Sequence, residues 1–366
     1  MKTISLFLLI TLGVLEQSYG PYARPDRGGN HSVAAARGNV LLAWSEKIDG
    51  GHARVHVVLL DASGRAISPI RVLPALNPSR DALVPGVGTD GASFLVVWEE
   101  VLGMQQTVAM ALAPDGTPLG EPHALGSDTM ILSNAYETAR VHWAGDAYAV
   151  YSGSRHSWRV AADATLLGPI SGVEPMAVRR DGTFARTGVS KSWNYSGGFG
   201  RPGNGTNPTF IAGVTWTAGS RSGSDQVPGI NVEPSTPYIT AAGNQFLVVW
   251  ATTDTIHFRL TGERSRRYIP AFVNNLSHPR ANCTDTHCVV VYDTRDGNVE
   301  GFVFDHTRTD QPAVFKAATS DRIELEPEVS MATSSRALIT WRSIGTDGEK
   351  LAGRTLTLGG KQRAVR

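Results

Sequence analysis

One short pattern recurs along the chain and constrains its fold more than any other feature. A stretch led by proline reaches a turn, and a run of β-branched residues then closes on Trp or Tyr. The pattern stands as VPGVGTDGASFLVVW ending at Trp98, TPYITAAGNQFLVVW ending at Trp250, HPRANCTDTHCVVVY ending at Tyr292 and EPEVSMATSSRALITW ending at Trp341. Weaker copies end at Trp44 and Tyr151, and a worn copy, EPMAVRRDGTFARTGV, lacks its aromatic near Gly188. Neighbouring aromatics lie 54, 53, 42 and 49 residues apart, and the 99 residues from Tyr151 to Trp250 hold two periods. Repeats of this length build propellers or solenoids of small sheets.

Each copy reads as strands. The run FLVVW is apolar at every position, which suits a strand covered on both faces rather than one half in water. Asp90-Gly91, Gly145-Asp146, Asp181-Gly182 and Gly243-Asn244 supply the hairpin turns before these runs. A third strand follows in each copy, as in TIHFRLTG and VEGFVFD, and a second turn leads to a short outer strand. Three or four antiparallel strands per repeat make a propeller blade. The fold class is therefore all-β, a β-propeller of seven blades, or six if the worn fourth copy is not a blade. Residues 190–230, rich in Gly, Ser and Asn, read as a long loop beside irregular strands within that single domain of residues 21–366.

Composition adds limits. With 366 residues, 41% hydrophobic and 18% charged, the chain can bury a large core. A net charge of +1 gives no electrostatic reason to expect nucleic acid as a partner. Residues 1–20 carry Lys2, an apolar run from Ile4 to Leu15, and then small residues Ser18 and Gly20. That tripartite arrangement predicts a signal peptide and a secreted protein, extracellular or periplasmic. No other segment offers a membrane span, and the chain reads as a monomer. Cys283 and Cys288 are the only cysteines, and in an oxidising compartment they can close a disulfide across one hairpin.

The unit D-G-x-x-x-L-V-V-W, followed by D-x-R and by G-x-R/F-V with a Gly turn, resembles the repeat of secreted bacterial β-propeller proteins. VVVYDTRDGNVEGFVFD, with Asp293, Arg295 and Gly301, is the best copy. The resemblance covers nearly all of residues 24–366. It implies a secreted propeller and no particular activity, because such proteins serve as binding and adhesion modules and as scaffolds.

Motifs for catalysis are absent: there is no H-E-x-x-H, no G-x-S-x-G and no EF-hand loop. Gly198, Gly200 and Gly203 form a G-x-G-x-x-G without a following helix, so no nucleotide cofactor is expected. His52 and His56 share a strand face at period two but lack a third ligand, so no metal is expected either. Glu324, Glu326 and Glu328 alternate in IELEPE and would point one way in a regular strand.

Propeller geometry directs the search to the face where inner strands begin. The residue after the repeat proline, or its equivalent, is His31, Gly86, Arg140, Met176, Tyr238, Arg280 and Glu328 in turn. Loops after the aromatic offer Glu46, Glu100, Arg155, Asp254, Asp293, Arg295 and Arg342. These positions differ from blade to blade, so the chain does not carry one identical sugar site per repeat. Arg140, Tyr238, Arg280, Asp293, Arg295 and Glu328 are the ligand-binding candidates. The arginines suit a carboxylate or an anionic sugar, because guanidinium binds such groups bidentately. Asp293 and Arg295 belong to the repeat itself, and an inter-blade tie is their plainer role. The expected function is a non-catalytic binding module for a carbohydrate or protein ligand at that face. The alternative is a polysaccharide-acting hydrolase or lyase using Glu328 with Glu46, Glu100 or Asp293 across the channel.

Overall fold

The structure, a computed structural model, describes residues 11–12, 17–21, 31–48, 51–102, 104–128, 139–152, 156–170, 177–194, 209–227, 235, 237–273, 277–308, 310–318 and 320–358. Seven antiparallel sheets follow one another along the chain. Their inner strands begin at His31, Asp81, Arg140, Ala177, Tyr238, Arg280 and Ile323. Each inner strand packs against the next, and that of blade seven returns to that of blade one, which closes a seven-bladed β-propeller.

Blade four is complete. The strands Ala177–Val178, Phe184–Asn194, Thr209–Ala218 and Arg221–Val227 form its sheet. Where the sequence suggested a loop over 190–230, the second and third strands instead pair continuously from Ala185↔Ala218 to Asn194↔Thr209. The Gly and Ser content misled because a central strand between two partners draws its stability from the ladder, whatever its side chains. The G-x-G-x-x-G glycines, with 195–208, lie outside the described residues.

Second strands carry the core. Along Asn39–Lys47, Leu41 and Ala43 pack into a cluster shared with blade two, while Val40, Leu42 and Trp44 pack into one shared with blade seven. The same alternation sends Phe94, Val96 and Trp98 toward blade one, and Leu95 and Val97 toward blade three. Trp250, Tyr292 and Trp341 likewise face the preceding blade. The repeat aromatic is thus the side chain large enough to fill the wedge between two diverging sheets. Blade three is the exception. Tyr151 pairs with Arg140 as Val97 pairs with Gly86, so Ser152, one residue on, stands where Trp98 stands.

Blades two and three approach most closely at two glycines. A Cβ at Gly86 would lie 1.9 Å from the Ala139 carbonyl oxygen, and one at Gly88 would lie 2.5 Å from Val141 Cγ1. The disulfide Cys283–Cys288 joins residues directly opposite each other across the first hairpin of blade six. The final strand, Gly348–Thr357, also pairs antiparallel with Thr11–Leu12 and with Gln17–Pro21. No helix among the described residues is long and apolar enough to cross a membrane.

Two substitutions probe this packing. Trp98→Ala empties a fully buried wedge and should cost about 3–5 kcal/mol in urea unfolding. Gly86→Ala adds one methyl against backbone that cannot yield without separating two blades, and should cost about 2 kcal/mol or more by the same measurement. An unfolding midpoint unchanged by either substitution contradicts the wedge account.

Candidate functional site

A cavity of about 1260 Å³ runs along the propeller axis and is lined by residues from the inner strands of all seven blades. Strand register defines a ring of equivalent positions, each opposite the residue that precedes the repeat aromatic position. Its members are Ser32, Gly86, Arg140, Tyr238, Arg280 and Glu328. The blade-four position falls before Ala177, outside the described residues, as do Met176 and Arg155. In blade one the ring residue is Ser32, and His31 is fully buried behind it. A two-residue turn in place of the four-residue turn of blades two, three and six hid this offset. Burial lowers the His31 pKa to about 3, with Arg280 adding in the same direction, so its imidazole stays neutral.

Four polar ring members meet. The Arg140 guanidinium lies 4.8 Å from the centroid of the Tyr238 ring, and that of Arg280 lies 5.2 Å from it. Arg280 Nε donates to Glu328 Oε1 at 2.9 Å, and the two side chains are 20% and 17% exposed. Cations stack on a phenol ring because its face is electron-rich, and they do so most strongly where water is scarce. Burial raises the Tyr238 pKa, Glu328 raises it further, and Arg140 and Arg280 oppose the rise. Burial also raises the Glu328 pKa, against the pull of Arg280 and Arg140. The charge of Arg280 also reaches Asp293, where it opposes the rise that burial causes.

The other side of the ring is small. Ser32 lines the channel from blade one, whereas Gly86 is closed over by Ala139 of blade three. Ser32 Oγ accepts from the Val87 amide at 3.1 Å, which fixes it as a tie between those blades.

The remaining candidates stand apart from the channel lining. The Asp293 carboxylate accepts from the His278 amide at 3.2 Å, and burial raises its pKa, opposed by His278. Arg295 pairs with Asp254 of blade five at 3.2 Å and stacks on Phe272 at 5.4 Å. It therefore ties blade six to blade five. Glu46 accepts from the Trp44 indole at 3.0 Å. Glu100 is fully buried and accepts from the Leu76 and Asn77 amides at 2.6 and 2.8 Å. Both are occupied by structural partners away from Glu328.

The three glutamates of IELEPE do not share a face. A bulge between Leu325 and Glu328, with Glu326 at φ 54°, splits them. Glu324 is buried against Ser320 and Ser343, Glu326 pairs with Arg342 at 3.3 Å, and Glu328 turns to Arg280. His52 and His56 also separate. His52 is exposed and bonds Asp81 at 3.2 Å, whereas His56 is buried against Trp44. Among the described residues no group of three or more His, Cys, Asp or Glu could hold a metal ion.

Neither a protein-family model nor a curated protein matches the chain. Solved structures do. A fungal alcohol oxidase in complex with copper aligns over 95% of this chain and 76% of its own, with 12% identity and a TM-score of 0.51. A protein of unknown function from Dyadobacter fermentans aligns over 96% and 99%, with 12% identity and a TM-score of 0.46. The β-propeller domain of the trilobed protease from Pyrococcus furiosus aligns over 91% and 97%, with 8% identity and a TM-score of 0.47. At such identities the likeness extends to the fold and no further.

Proposed function

We propose that the chain is a secreted binding module that holds a carboxylate-bearing ligand at the mouth of its central channel. The observation that carries this reading is the Arg140–Tyr238–Arg280–Glu328 cluster, in which two guanidiniums converge on one phenol ring in the lining of the channel. A part-buried guanidinium binds a carboxylate with paired, charge-assisted hydrogen bonds. Glu328 is the internal competitor for that role: its carboxylate occupies Arg280 when no ligand is present.

A second reading is hydrolysis or lysis of an acidic polysaccharide. It draws on the raised pKa values of Glu328 and Asp293, since a carboxyl held protonated can serve as a general acid. It is the weaker reading, because Asp293 is committed to the His278 amide and stands outside the channel lining.

Ligand-observed NMR with uronic acids and acidic amino acids, against their amides, tests the binding reading. Carboxylates should bind and amides should not, and Arg280→Met should weaken binding at least about tenfold, the ordinary loss for one charge-assisted contact. Binding should tighten as pH falls from neutrality toward the ordinary carboxylate range. Glu328 has a raised pKa, so it takes up its proton first and releases Arg280, while a ligand carboxylate of ordinary pKa stays ionised. Glu328→Gln should flatten that pH dependence. Equal binding of acids and amides refutes the assignment.

Export is tested by sequencing the N-terminus of the protein recovered from medium or periplasm. The reading expects a start near residue 21, which would leave the last strand without its partners Thr11–Leu12 and Gln17–Gly20. Recovery of an intact N-terminus from the cytoplasm alone refutes it.

A further inference from the structure

Among the described residues, six blades draw all their strands from one stretch of chain each, and blade seven does not. Its own stretch supplies Ile323–Thr333, Arg336–Gly345 and Gly348–Thr357, and the outer place is taken by Thr11–Leu12 and Gln17–Pro21 from the far end of the sequence. The spacing that follows is ordinary. Nine residues, 22–30, separate Pro21 from the inner strand of blade one at His31, and nine separate Pro270 from the inner strand of blade six at Arg280. Residues 17–21 thus hold the sequence position of an outer strand, and the stretch behind them has the length of a blade connector.

A cut after Gly20, which the export reading requires, falls inside that strand. It takes away the partners of Thr357, Leu356, Gly353 and Ala352, and leaves only Pro21 opposite Lys350. The edge it bares, Gly348–Thr357, is ten residues long. Outer strands of the other six blades are shorter, the longest being Arg221–Val227 with seven residues. Long bare edges recruit another strand, and natural sheets keep them short or covered.

The chain that runs on from this edge carries a hairpin turn. Leu358 is followed by Gly359-Gly360 and then by residues 361–366, which lie outside the described residues. Two glycines in this place suit the two-residue hairpin turn, which needs a positive φ at its centre. Blade four has the same connection built. Ala218 pairs with Arg221 across Gly219-Ser220, with Gly219 at φ 57°, and the outer strand follows at once. Antiparallel counting from Leu358 opposite Lys361 sets Thr357 opposite Gln362, Leu356 opposite Arg363 and Gly353 opposite Arg366. In the structure Thr357, Leu356 and Gly353 face Thr11, Leu12 and Gln17. One edge accepts one strand, so the two segments exclude each other.

We propose that residues 361–366 are the outer strand of blade seven in the processed protein, and that residues 11–21 hold their place until the cut is made. The inference rests on the export reading, which supplies the cut, and names what covers the edge afterwards. The adjoining segment is favoured over a second copy of the chain, because a two-residue turn holds it beside the edge and no encounter is needed. Replacement makes blade seven like the other six, closed from within its own repeat.

Hydrogen exchange read by mass spectrometry on two forms, the chain 1–366 and a chain begun at residue 21, tests the replacement. In the longer form the amides of 17–21 should be protected and those of 361–366 should not. In the shorter form 361–366 should exchange at least about tenfold more slowly than in the longer one, as amides of a closed ladder do. Gly359→Val together with Gly360→Val, which denies the turn its positive φ, should abolish that protection and lower the unfolding temperature of the shorter form alone. Equal exchange of 361–366 in both forms overturns the inference, as does a shorter form that fails to fold. Protection gained instead by 22–30, or a dimer in sedimentation with 361–366 unprotected, gives the edge another occupant and overturns it too. The shorter form is made directly, so these results do not depend on export. An intact N-terminus recovered from cells removes the cut and the export reading, and leaves the strand replacement to its own measurement.

Discussion

The structure depends on one constraint: each second strand must serve two cores at once. A propeller blade has no interior of its own, and its apolar surface is covered only by the neighbours on either side. Alternate side chains of FLVVW and its equivalents therefore enter different clusters, so the strand has to be apolar throughout. The sheets diverge away from the axis, and the gap widens with distance from it. Trp44, Trp98, Trp250, Tyr292 and Trp341 are fully buried or nearly so, and each is directed toward the preceding blade. Their hydrophobic burial, rather than any polar contact between sheets, sets the spacing of the blades.

That constraint explains what could be read without coordinates. The aromatic-terminated runs are legible because wedge filling demands large side chains at a fixed place in each repeat, and the blade count follows from their spacing. Blade four was hard to read because its second strand, Phe184–Asn194, relies on long pairing with Thr209–Ala218 instead of on a β-branched run. One-residue offsets escaped for a similar reason. In blade one the turn is shortened, so Ser32 and not His31 reaches the ring. In blade three Tyr151 imitates the aromatic position but points the other way. Side-chain facing alternates along a strand, and an error of one residue exchanges the two faces.

The candidate site was legible only in part, and the division follows geometry. Arg140, Tyr238, Arg280 and Glu328 come together because ring positions are set by the repeat, so residues up to 188 positions apart in sequence share one level of the channel. Asp293 and Arg295 looked equivalent in kind, yet they occupy a different level, where the loop after the second strand meets the adjoining blade. There a charged side chain finds backbone amides and a neighbouring carboxylate within reach. No pattern in a single sequence separates a charge that ties blades from one that faces the channel.

The bulges of blades two and seven show how a site can be laid over such a framework. Both follow an L-x-P-x tetrad, Leu83–Gly86 and Leu325–Glu328, and in both the residue before proline adopts a positive φ, 46° at Val84 and 54° at Glu326. Proline suits a bulge because the ladder asks for no amide there. One backbone device therefore serves two ends. In blade two it delivers a glycine, and blade three closes against it. In blade seven it delivers Glu328, turned out of line with Glu324 and Glu326 and onto Arg280. Since the wedges carry most of the contact between blades, the side chains of the ring can differ from blade to blade. A single asymmetric, charged mouth is the arrangement that freedom permits, and a set of seven like sites is the one it does not require.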